Sequence, residues 1–161
     1  MATNRLKALY KSFAVKKFTC GYFYLNLLEC QIFFTSKYEG RTVRGLIGSS
    51  VNFTWSFSGN IRSISWGLKH AGIDVIQNNG VLVFMDKSGS LSVTVPPAYN
   101  GRVSGSGDVA SGLAIFTLSS IKNSDERFYG CAIRPNDGFD NERFDAVHLV
   151  VEGGYVKYSN L

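Results

Sequence analysis

Ser119-Ser120-Ile121-Lys122-Asn123-Ser124-Asp125-Glu126-Arg127-Phe128-Tyr129-Gly130-Cys131 is the stretch whose reading decides the fold. Asn123, Ser124 and Asp125 are turn formers, because their short polar side chains bond back to neighbouring main-chain groups. Tyr129 and Cys131 follow at a spacing of two, so on an extended chain both point to one side. The stretch predicts a tight turn opening a strand whose alternate residues enter a core.

Working back from it, the chain from Thr42 onward is a series of short alternating runs parted by Gly, Ser and Asn, the pattern of an all-β sandwich. Thr42 to Ser50 reads as a first edge strand and its turn. Val51, Phe53, Trp55 and Phe57 alternate with Asn52, Thr54 and Ser56, a period of two that turns the apolar set inward. Ile64 and Trp66 mark the next strand. Ile73–Ile76 and Val81–Met85 read as two strands around a polar turn, Gln77 to Gly80. Leu91 to Val95 alternates and stops at Pro96-Pro97, which cannot continue a central strand. Asn100 to Val103 reads as a strand, Ser104 to Gly112 as a flexible turn, and Leu113, Ile115 and Thr117 mark the strand before the corner. After Cys131 come the polar loop Arg134 to Asn141 and a last strand, Ala146 to Val151.

The N-terminal part differs in kind. Residues 1–44 carry eight Lys/Arg against Glu29 and Glu39, a balance of +6; since the whole chain is +5, the remainder is −1. The globular part is therefore close to neutral, and its charge does not point to nucleic acid. A basic segment leads into Phe18 to Phe34, whose sole charge is Glu29, which resembles a signal sequence or signal anchor. Phe34-Thr35-Ser36 is not a small-x-small cleavage site. A basic arm, or an upstream segment foreign to the domain, is the alternative reading. The expected division is 1–36 as this extension, 37–153 as one domain, and 154–161 as a tail or linker. Cys20 and Cys30 lie in the extension, which leaves Cys131 as either a buried free thiol or a partner for one of them.

Asp125, Tyr129 and Cys131 in D-x-x-x-Y-x-C, with Trp66 eleven residues after an inward position at Trp55, resemble the immunoglobulin V-set family over about Thr42 to Gly153. The resemblance implies an immunoglobulin-like variable-type β-sandwich, about nine strands in a Greek key, behind the basic and apolar extension. It also implies a tyrosine corner at Tyr129 and a pairing of Arg102 with Asp125, expected to be partly exposed and to add about 1 kcal/mol or less. Two positions depart from the family. Arg127 stands where Gly or Ala is usual, and Trp55 stands where the strand-B cysteine would be, as in divergent V-set domains of invertebrate surface proteins. A crosslink between positions 55 and 131 would contribute roughly 4 kcal/mol. A Trp burying about 200 Å² at ~25 cal/mol/Å² offsets a similar amount.

Site candidates follow from the same reading. Trp55, Trp66, Arg102, Asp125, Tyr129 and Cys131 are structural. Asn52-Phe53-Thr54 is an N-glycosylation pattern, and the alternation that buries Phe53 turns Asn52 outward. The loop holding Arg134, Asn136, Asp137, Phe139, Asp140 and Asn141 matches the third hypervariable loop by position and mixes adaptable polar groups with one aromatic; an ordinary solvated loop is the plain alternative. His70 and His148 fall on different predicted strands, no Ser or Cys sits in an activated context, and metal-ligand spacings are absent. No catalytic residue, metal or cofactor is expected.

The resemblance thus implies a non-enzymatic recognition or adhesion module, at a cell surface or secreted, binding another protein, a like V-set domain among the candidates, through its G-F-C-C′ face, left open by a glycan at Asn52, and its F–G loop. It implies no nucleic-acid partner, and membrane association through the N-terminal apolar run or an anchor beyond Leu161. The alternatives are a soluble ligand- or carbohydrate-binding sandwich, for which Phe139 with Asp137 and Asp140 is the one fitting cluster, and a nucleic-acid arm in residues 1–34 on a structural domain.

Overall fold

In the computed structural model, which describes residues 32–136 and 141–153, the chain is an all-β sandwich of two sheets. Its ten described strands are β1 (Phe33–Ser36), β2 (Thr42–Leu46), β3 (Val51–Ser58), β4 (Ile61–Lys69), β5 (Ile76–Asp86), β6 (Leu91–Val93), β7 (Val103–Asp108), β8 (Leu113–Leu118), β9 (Arg127–Pro135) and β10 (Arg143–Glu152). One sheet has the order β1-β3-β8-β7 and the other β2-β10-β9-β4-β5-β6. Every pairing is antiparallel except β2 with β10.

The inward residues of β3 supply the centre of the core, as their alternation predicts. Phe53 and Trp55 are fully buried, and Phe53 stacks on Phe116 at 6.0 Å and on Tyr129 at 5.4 Å between ring centroids. Trp66, Ile64 and Leu68 come from β4, Val83 and Met85 from β5, and Tyr129, Cys131 and Ile133 from β9. Asn123–Asp125 forms a 3-10 turn, and the Tyr129 hydroxyl donates to the Asp125 carbonyl at 3.0 Å. Arg127 sits outside this corner and its Nη2 donates to Ser124 O at 2.6 Å, so the departure at this position adds a bond without crowding the core.

Several strand expectations are corrected. Phe33–Ser36, placed in the extension by the sequence, is a strand of the sandwich: it pairs with β3, and Ile32 and Phe34 are buried. Thr42–Leu46 is accordingly the second strand. Gln77 to Gly80 is no turn but a bulged part of one long strand, with Asn79 at φ 60° and Gly80 folded over β4. A Cβ on Gly67 would collide with the Gly80 carbonyl, so that crossing needs glycine. Asn100 to Arg102 is a turn after the 3-10 segment Pro97–Tyr99, and the strand begins only at Val103. Ser104 to Asp108, expected to be flexible, lies in β7. Its Gly105 and Gly107 face inward, where a Cβ on Gly105 would stand 2.8 Å from Val83 and 3.0 Å from Trp66. The glycines mark close packing of two sheets there, not a loop. In β8 it is Ala114, Phe116 and Leu118 that are buried, while Leu113, Ile115 and Thr117 take the other side. The readings of residues 1–31 and of the tail 154–161 lie outside the described residues.

Candidate functional site: the outer face of the six-stranded sheet

Inward residues of the six-stranded sheet leave their neighbours on the opposite face, and the register arranges these in rows. Phe84, Ser65, Ala132 and Phe144 lie side by side across β5, β4, β9 and β10. The next row is Val81, Gly67, Gly130 and Ala146. Beyond it Ile76 lies beside Lys69, and Phe128 beside His148, whose rings stack at 4.5 Å. Small residues therefore occupy the middle of the face and aromatic rings its flanks. The Phe144 ring leans over Gly130, where a Cβ would come within 2.5 Å of it.

The two cations at the ends of the face are paired, and Asp86, in the row with Ser63 and Arg134, accepts from Ser88 and Ser90. Lys69 bonds Asp74 at 2.9 Å, with its ammonium 5.8 Å from the Phe144 ring centroid. At the far end Arg134 bonds Glu142, also at 2.9 Å. Exposed apolar side chains gather on β5 and the turn before it: Ile73, Val75, Val81 and Phe84. The small residues of the middle rows are themselves buried, Gly67 by the Gly80 carbonyl and Gly130 by the Phe144 ring, so the accessible apolar area is the β5 side of the face. A contiguous exposed apolar patch with polar groups around it is the usual mark of a contact surface.

The loop candidates are placed differently from this patch. Arg134 belongs to β9 and is held by Glu142, the Asn136 main-chain N–H donates to Asn60 O at 3.0 Å, and Asn141 is exposed. Asp137, Phe139 and Asp140 lie outside the described residues. The sequence reads Val81 and Phe84 on one strand, but their odd spacing puts them on opposite faces of a regular strand; the extra residue at Leu82, between the pairs Trp66–Val83 and Gly67–Val81, brings them to one face.

On the opposite sheet Asn52 is exposed, and its Oδ1 accepts from Thr117 Oγ1 at 2.8 Å, leaving Nδ2, the atom that carries an N-glycan, outside that bond. The sequence candidates Trp55, Trp66, Tyr129 and Cys131 are wholly buried. Trp66 Nε1 has no hydrogen-bond partner among the described residues. Burial, together with the nearby Asp145 and Glu142 carboxylates, pushes the Cys131 thiol well above its ordinary pKa. Native Cys131 is therefore expected to resist maleimide at pH 8 and to label only on unfolding, read by peptide mass; rapid native labelling would contradict this. Burial likewise raises the Tyr129 pKa, so the hydroxyl stays protonated and keeps donating to the corner.

Among the described residues no helix is long and apolar enough to cross a membrane, and no three His, Cys, Asp or Glu side chains gather to hold a metal ion. His70 lies in the turn after β4, whereas His148 is on β10 against Phe128. No family model matches the chain, and no curated protein is detectably similar to it.

Proposed function

We propose that the chain is a V-type immunoglobulin sandwich acting as a non-enzymatic recognition module, displayed at a cell surface or secreted, that binds another protein through the outer face of its six-stranded sheet. The observation that carries the reading is the exposed apolar cluster on that face: Val81 and Phe84 of β5 with Ile73 and Val75 just before it, beside the half-buried Phe144 ring, with Lys69 and Arg134 paired at the ends. The strand orders β1-β3-β8-β7 and β2-β10-β9-β4-β5-β6, with β2 parallel to β10, support the V-type assignment. A glycan at Asn52 would cover the other sheet and leave this face open.

The test is expression of the full chain in a eukaryotic secretory host, followed by intact mass before and after N-glycan removal. Export with a glycan at Asn52 is expected. Any leader is expected to be cut before Ile32, since Ile32 and Phe34 are core residues and Arg143 Nε donates to Ile32 O at 3.1 Å. In a screen of the exported chain against cell-surface proteins, itself included, Phe84→Asp is expected to weaken binding about 100-fold, whereas Arg134→Ala leaves it within about threefold. A full-length, unglycosylated chain retained in the cytosol would overturn the reading.

A further inference from the structure

The free edge of the six-stranded sheet carries a second, separate surface. Asp86 N donates to Ser90 O at 3.1 Å and Thr94 N to Leu82 O at 3.3 Å, so the main-chain groups of Ser90, Ser92 and Thr94 face β5. By the same alternation the N–H and C=O groups of Leu91, Val93 and Val95 face away from the sheet, with no strand beside them among the described residues. Their side chains lie on the core side: Leu91 is opposite Met85, and Val93 opposite Val83. Yet Leu91 is 46% and Val93 51% exposed. The cause is an overhang. The facing sheet has four strands, and its edge strand β7 presents Gly105 and Gly107 inward, so no side chain reaches out to cover the hem.

Natural edge strands are blunted by charge, by brevity or by proline; β6 is three residues long and Pro96-Pro97 limit its extension, but charge is missing. Here no charged residue occurs between Lys87 and Arg102. The edge is also self-complementary. Turned antiparallel about a two-fold axis through Val93, it sets Val93 against Val93 and Leu91 against Val95 of the second copy, apolar on one side and Ser/Thr on the other. We propose that a second copy of this chain docks here, β6 against β6, each facing pair exchanging both of its outward main-chain bonds and the two six-stranded sheets becoming one. A seam of five residues is smaller than the ~1,000 Å² of a stable interface, so the dimer is weak in dilute solution and forms where copies are concentrated. Joined this way, two outer faces stand side by side and engage a multivalent partner together. The edge-to-edge dimer does not rest on the proposed function; only its use in engaging a multivalent partner does.

The experiment uses the full-length chain. In the proposed register the Val93 Cα atoms of the two copies lie about 5.5 Å apart, within disulfide range. Val93→Cys is expected to form covalent dimers under mild oxidation at least about tenfold faster than Asn60→Cys, on the distant β3–β4 turn. Val93→Lys, which sets two like charges on the axis, is expected to lower the associated fraction seen by sedimentation at concentrations on the order of 100 µM without lowering Tm. Equal crosslinking of the two cysteine variants, or association unchanged by Val93→Lys, overturns the proposal.

Discussion

Asp145→Ala is expected to lower the unfolding free energy by about 3 to 5 kcal/mol, a large share of the ~5 to 15 kcal/mol typical of a domain. Asp145 is 6% exposed and sits on β10 directly across from Cys131. Its carboxylate accepts three bonds: Trp55 Nε1 at 2.8 Å, the Tyr38 N–H at 2.7 Å and the Glu39 N–H at 3.0 Å. Removing it orphans one buried indole donor and two part-buried main-chain donors, each costing about 1 to 3 kcal/mol, with water recovering part of the latter two. The site also ties the sheets together. Tyr38 and Glu39 lie where the chain crosses from β1 in one sheet to β2 in the other, and the Tyr38 ring packs edge-on against Trp55 at 5.3 Å. Trp55 thus packs in the core from β3 and also reaches β10 through a hydrogen bond. Asp145→Asn, with one acceptor oxygen in place of two, is expected to lose about 1 to 2 kcal/mol. Urea unfolding followed by Trp fluorescence measures both; a loss below about 1 kcal/mol for the Ala variant would mean that packing alone holds Trp55.

What was legible in the sequence is what local chemistry dictates. Val51 to Phe57 buries one side against a core, so its period of two survives in the residue types, and Asn123 to Asp125 is a turn by its own side chains. The two-sheet, all-β architecture followed from such runs. Strands shaped by their neighbours were not legible. Ser104 to Asp108 resembles a linker because Trp66, Val83 and Met85 fill the space that side chains at Gly105 and Gly107 would take. Gln77 to Gly80 resembles a turn because the long strand bulges at that point over Gly67. Asp145 escaped notice because two of its partners are main-chain groups 106 and 107 residues away, and a carboxylate at an inward strand position leaves no local signature of being satisfied. The resemblance pointed to this face as the open one, but its residues were not named, because its rows assemble from four strands and each strand contributes only one residue to a row.

Asp125→Ala is expected to cost about 3 to 5 kcal/mol, several times what the sequence suggested for its pairing with Arg102. That lower value assumed a partly exposed pair. The side chains are in fact 11% and 3% exposed, and the guanidinium engages both carboxylate oxygens through Nη1 and Nη2. Arg102 is further held by Ala98 O at 2.8 Å and Ser119 O at 3.2 Å, and Asp125 Oδ2 accepts from the Lys122 N–H at 2.8 Å. Deleting the carboxylate therefore strands a cation that cannot turn to water without giving up two carbonyls, and frees the donor that closes the 3-10 turn beneath Tyr129. Because the penalty is that of an uncompensated charge, it is not the net worth of the pair. The double variant Arg102→Met/Asp125→Ala is accordingly expected to be more stable than Asp125→Ala alone, by about 1 to 3 kcal/mol in urea unfolding. Arg102→Lys is expected to recover little, since a single ammonium cannot fork across both oxygens while also reaching Ala98 and Ser119. Should Asp125→Ala unfold within about 1 kcal/mol of the parent, the corner would owe its stability to Tyr129 and the apolar core, and the ion pair would serve only to set the register of β7 against it.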